Sequence, residues 1–119
     1  MTTKEIADRL VDLCRQGQWE TAQKELFAED ATSIEPEASP AFEKETKGLD
    51  AIVEKGHKFE SMVETMNSIT VSDPLIASNS FCITMLLDAV MKERGAMVMS
   101  ELCLYKVKDG KIVSEEFIM

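Results

Sequence analysis

Basic residues are scarce in this 119-residue chain: 13 Lys and Arg stand against 22 Asp and Glu, for a formal charge of −9. No local cluster of them offsets the deficit, and a phosphate backbone is held by such clusters, so nucleic acid is not an expected partner. Cysteine is sparse and odd in number. Cys14, Cys82 and Cys103 include no CxxC pair, which argues against a disulfide framework and against a metal centre of standard spacing. Long apolar runs are missing, so no segment is expected to span a membrane. The opening "MTTKEIADRL" carries acids and no apolar h-region. No signal peptide is therefore expected, and the cytoplasm is the expected location. There is no GxGxxG and no P-loop, so no cofactor is expected. The single histidine, His57, lies beside the apolar stripe of a predicted helix, where an exposed or edge position is expected.

What is present describes one domain over residues 1–119. Hydrophobic residues make up 45% of the chain, too many for disorder. "TTKEIADRLVDLCRQG" is an amphipathic helix that Thr2 or Thr3 can cap and Gly17 ends. "QWETAQKELF" is a second, short helix, with Trp19 on its apolar side. "DATSIEP" is partly β-branched and stopped by Pro36, so it reads as a strand. A polar loop, "EPEASPAFEKETK", follows. "GLDAIVEKGHKFESMVETM" is a third helix whose stripe runs from Leu49 to Met66. Gly56 inside it costs roughly 1 kcal/mol against Ala, which points to close packing there. The period then becomes two. "NSITVSDPLIA", "SNSFCITMLLDAVMK", "AMVMSELCLYKVK" and "KIVSEEFIM" read as strands, punctuated at Asp73-Pro74, Ser78-Asn79, Arg94-Gly95 and Asp109-Gly110. The expected class is α+β: three N-terminal helices on a strongly curved, mostly antiparallel sheet.

The turns predict a register. An Asp109-Gly110 loop sets Val107 against Ile112 and Cys103 against Glu116. An Arg94-Gly95 loop sets Asp88 against Glu101. Alternation then sorts the side chains. One face, with Phe81, Ile83, Met85, Leu87, Val98, Leu102, Leu104 and Phe117, is nearly all apolar. The other mixes Met99, Cys103 and Tyr105 with Asp88, Glu101 and Glu116. A β-bulge would move half of this assignment to the other face. Separately, Glu115 beside Glu116 is the alternative inward acid. Three short helices cover only one sheet face. If that is the mixed face, the apolar face meets a second copy, so a homodimer is expected. Covering the apolar face instead would leave the acids outside.

"FAEDATSIEP" after two short helices, then a loop, a helix and a curved sheet ending "KDGKIVSEEFIM", resembles the SnoaL-like branch of the nuclear transport factor 2-like superfamily. The resemblance covers nearly the whole chain and implies a cone enclosing a pocket. Its members include polyketide cyclases, ketosteroid isomerases, epoxide hydrolases and inert binding modules. It implies Glu35, just before Pro36, as a general base, Glu101 as a second, protonated acid, and Asp88 at the acid position of the epoxide hydrolases. Three departures accompany it. Leu10 stands where isomerases place an oxyanion-hole tyrosine, Leu86 where epoxide hydrolases place an arginine, and Glu115 and Glu116 where cyclases place a His-Trp pair.

Two functions therefore stay open. One is a cofactor-free enzyme acting on a small apolar carbonyl compound, with Glu35, Glu101 and Asp88 as acid/base groups. The other is a non-catalytic module that binds a small ligand or dimerises. In either, Trp19, Tyr105, Glu116 and Met99 are candidate ligand-binding residues.

Overall fold

In the computed structural model, which describes residues 1–119, the first helix runs over Thr3–Arg15 (α1). Thr2 caps it: its hydroxyl accepts from the Glu5 N–H at 3.1 Å, and the Glu5 carboxylate accepts from the Thr2 N–H at 2.8 Å. This reciprocal box satisfies two otherwise unpaired donors. Ile6, Ala7, Leu10, Val11, Leu13 and Cys14 form its buried side. Gly17, at φ +72°, reverses the chain into Trp19–Leu26 (α2). Phe27–Ile34 (β1) follows without a loop, and a short strand, Glu45–Lys47 (β2), pairs with its edge inside the stretch expected to be a plain loop.

Leu49–Met62 forms α3, shorter than its apolar spacing implied. Val63 and Met66, expected on the helix, already belong to Val63–Val71 (β3), where Val63 pairs with Met91 and Met66 with Ala89. Sheet pairing overrides a local helical spacing here, because a β-branched residue fits the pleated surface at least as well. Close packing at Gly56 does not occur: an added Cβ would lie 3.9 Å from the Gln23 side chain, an ordinary contact.

Leu75–Ala77 (β4), Ser80–Met91 (β5), Gly95–Lys108 (β6) and Lys111–Ile118 (β7) complete a curved, open sheet. Its order is β2-β1-β7-β6-β5-β3, with β4 also paired to β5. Only β1 and β7 run parallel. The helices cover the concave face. There Leu10, Leu13, Leu26 and Ile52 join Phe81, Ile83, Leu87 and Ile112 in one buried core. Each such side chain removed from water contributes about 1.5–3 kcal/mol.

Two local details overturn the expected sheet register. Met91 pairs with Gly95, so the β5–β6 loop has three residues, Lys92, Glu93 and Arg94, followed by Gly95 at φ +74°. A left-handed residue after a tight turn is the usual form of a three-residue hairpin, and glycine adopts it without strain. Met85, not Asp88, therefore faces Glu101, and Asp88 faces Val98. The slip of β6 is odd in residues, so its side chains change face relative to β5.

The second detail lies in β7. Asp109 and Gly110, both at positive φ, form the expected two-residue turn, and Val107 faces Ile112 as expected. Lys106 then pairs with Ser114, leaving Val113 as an extra, bulged residue. Past it Tyr105 faces Glu115 and Cys103 faces Phe117. The concave face thus carries the apolar row of β5 together with Glu101 and Glu115. Asp88, Glu116, Leu86, Val98, Leu102 and Leu104 lie on the convex face, so the predicted sorting into one apolar and one mixed face does not hold.

Candidate functional site

Between the helices and the concave sheet lies a cavity of about 190 Å³. An apolar cavity of about 150 Å³ holds benzene, so this one admits a ligand of roughly one ring and its substituents. Leu10 and Cys14 come to its wall from α1, and Trp19, Ala22 and Gln23 from α2. Ile52, Lys55, Gly56 and Phe59 come from α3, and Met85, Leu87, Met99 and Phe117 from the sheet. Tyr105 is locked in place by stacking on Phe81 (centroids 4.9 Å apart) and by edge contact with Phe27 (6.4 Å).

Five acids interrupt this wall: Glu20 and Glu60 from the helices, and Glu35, Glu101 and Glu115 from the sheet side. Glu35 follows β1, with its backbone N–H donating to the Lys44 carbonyl at 2.7 Å. Glu101 stands in mid-β6. Burial first, then the neighbouring charges of Glu35 and Glu115, push its carboxyl up to about 7, against the pull of Lys55. Glu115 is buried beside Ser33, whose hydroxyl donates to it at 2.9 Å and accepts from the Lys55 ammonium at 2.6 Å. Burial pushes Glu115 up to about 7 as well, with Lys55 and the Ser33 hydrogen bond opposing and Glu35 adding to the rise.

The donor order in that chain is set by chemistry. Lysine only donates, so the one Ser33 proton must point at Glu115. Lys55 also lies 5.4 Å from the centre of the Phe117 ring. Burial raises the Cys14 thiol to about 12 and raises Cys103 and Tyr105 too, which keeps all three neutral. At the mouth, His57 of α3 is hydrogen-bonded to Glu20 of α2 and to Glu54, and its pKa is raised chiefly by Glu20. The edge position expected for His57 is the observed one. The indole N–H of Trp19 is buried without a partner.

Of the residues singled out from sequence, Glu35, Glu101, Trp19, Tyr105 and Met99 border the cavity. Asp88 does not. It lies on the convex face and accepts a 3.4 Å hydrogen bond from Asn67, because the three-residue turn shifts its strand against β6. Glu116 also points outward, opposite Leu104, because the Val113 bulge turns Glu115 inward in its place. Glu115, Ser33 and Lys55 were not singled out as a group. The available signal for Lys55 is its place on α3, three residues after Ile52 and four before Phe59, on the face that carries the buried stripe.

A helix-covered, curved sheet enclosing an acid-bearing pocket is the architecture of a nuclear transport factor 2-like fold. The chain belongs to the SnoaL-like domain family, whose profile matches residues 1–119. A proposed SnoaL-like polyketide cyclase from Mesorhizobium loti superposes with a TM-score of 0.93 at 29% identity, over 100% of both chains. TerC, co-crystallised with polyporic acid, gives 0.77 at 14% identity, over 98% of this chain and 90% of its own. A protein of ketosteroid isomerase-like fold from Catenulispora acidiphila, in complex with trimethylamine, gives 0.69 at 18% identity, over 97% and 85%. No curated protein matches the chain.

Proposed function

We propose that this domain takes a compact, mostly apolar carbonyl compound into its cavity and moves a proton on it without a cofactor. The observation that carries this reading is the pair Glu101 and Glu115, both raised to about 7 in an apolar chamber. Carboxyls that are half protonated near neutral pH can give and take protons there. Glu35 serves as general base at carbon, and whichever of Glu101 and Glu115 holds the proton donates it to the carbonyl oxygen. The lysine–serine chain keeps Glu115 from binding its proton too tightly. Trp19, Tyr105 and Met99 shape the site. Small organic molecules held by two structural neighbours support ligand uptake by this fold.

The test is hydrogen–deuterium exchange at the carbon beside the carbonyl of cyclohexanone, followed by proton NMR in deuterated buffer. The wild type accelerates exchange, and Glu35→Gln and Glu101→Gln each lose at least about tenfold of that acceleration. Exchange at the buffer rate with the ketone bound would leave the non-catalytic reading. That reading draws on Leu10, which borders the cavity and offers no hydroxyl donor.

We also infer a homodimer through the convex sheet face, where Leu86, Val98 and Ile118 are 40%, 65% and 42% exposed. Three free cysteines support residence in the reducing cytoplasm.

A further inference from the structure

We propose that the ligand of this cavity carries a tertiary or quaternary ammonium group, held between aromatic faces and the carboxylates of Glu35 and Glu101. The inference rests on ligand uptake as proposed above and names the chemical class. The sequence holds five Phe, one Trp and one Tyr, and every one of them but Phe81 borders this cavity. Lys55 and Lys58 already lie over the Phe117 and Phe42 rings; the negative faces of the remaining rings, Trp19, Phe27, Phe59 and Tyr105, attract a ligand cation. Trimethylammonium-sized groups also fit the volume argument made above.

The charges point the same way. Neither the Glu35 nor the Glu101 side chain has a hydrogen bond or ion pair within the protein. Glu115 has the Ser33 hydroxyl, with Lys55 behind it. Lys55 is thus directed to Ser33 and Phe117, and its single charge is shared between Glu115 and Glu101. At the mouth, Glu20 is matched by His57 and Lys24, while Glu60 of α3 has no ion pair. Cys14 and Tyr105 face the cavity uncharged. What remains unanswered is negative charge, and protons on Glu101 and Glu115 offset it at neutral pH. A ligand cation would replace such a proton.

Replacement gives a signed pH dependence. Cation binding favours the ionised acids, so affinity for a cation falls as pH drops through about 7 and the acids take up protons. The pKa of His57 at the mouth is raised chiefly by Glu20, and its charge is answered there by Glu20 and Glu54. A neutral ligand of the same shape shows no such fall.

The experiment is calorimetry with choline and with its neutral carbon isostere, in which a tert-butyl group replaces trimethylammonium. Trp19 fluorescence serves as a second readout on the only tryptophan. At about pH 8 choline should bind at least about tenfold more tightly than the isostere, and at about pH 6 the advantage should shrink to a few-fold. Glu101→Gln should lower choline affinity and flatten its pH dependence, with a much smaller change for the isostere. Glu35→Gln should also lower choline affinity, so a folding failure in one variant leaves the other to decide. Equal binding of the two compounds, or tighter binding of the isostere at pH 8, overturns the cation assignment and leaves the pocket reading intact. Failure of both compounds to bind overturns the two together.

Discussion

Replacing Glu101 by glutamine tests the central feature of this site through stability alone. The carboxyl is raised from an ordinary 4.5 to about 7 in the folded state. An acid with a raised native pKa is penalised in its ionised form, so the folded state loses stability as pH climbs from the unfolded value toward the native one. The loss is complete above about pH 7 and absent below about pH 4. The span of about 2.5 pH units corresponds to about 3–4 kcal/mol at most, because each unit is about 1.4 kcal/mol. Water in the cavity and the wish of a glutamine amide for its own partners reduce that, so a gain of about 1–3 kcal/mol at pH 8 is expected, or about 3–12 °C in melting temperature for a chain of this size. Thermal melts of the two proteins between about pH 4 and pH 8 decide. The curves should converge at the acid end and separate toward pH 8, with the mutant higher. Equal melting temperatures throughout, or a mutant less stable at pH 8, would mean that Glu101 is well solvated or ion-paired, and the proposed proton donor would be lost.

Lys55→Met removes the one cation that holds Glu101 and Glu115 down. Both acids then rise further, so the variant should lose about 1–3 kcal/mol at pH 8 and much less at about pH 5, as urea melts at the two values can show. A uniform loss at both would point to packing instead of charge. Val98→Glu places a charge on the most exposed residue of the convex patch, opposite Asp88. Sedimentation at micromolar concentration should show a dimer for the wild type and a monomer for the variant, with little change in melting of the monomer. A wild-type monomer would refute the sheet-to-sheet assembly.

Much of this architecture is readable from local pattern. The capping threonine, the Gly17 reversal and the Asp109-Gly110 turn each follow from residues within a few positions of one another. The acids were visible for a similar reason, since a glutamate in mid-strand interrupts an apolar alternation. Their partners were not. Ser33 meets Glu115 across 82 positions and Lys55 across 22, and nothing local marks either contact. Glu35 and Glu101 were paired by the family resemblance and reach the same cavity. Asp88 and Glu116 were placed by counting from turns, and the count failed.

The reason for that failure separates the two levels of information. By itself the sequence determined most of the helices and strands, though not the end of α3 or the short β2, and that acidic side chains sit among apolar strands, because these depend on spacing and backbone preference. Only the tertiary structure decided which acids share a chamber. A strand alternates with a period of two, so one residue in a loop or a bulge transfers every side chain beyond it to the opposite face. A third residue in the β5–β6 turn and the bulged Val113 are two such choices. Packing of the whole sheet beneath the helices makes them, and they alone put Glu101 and Glu115 together inside and left Asp88 and Glu116 on the convex face.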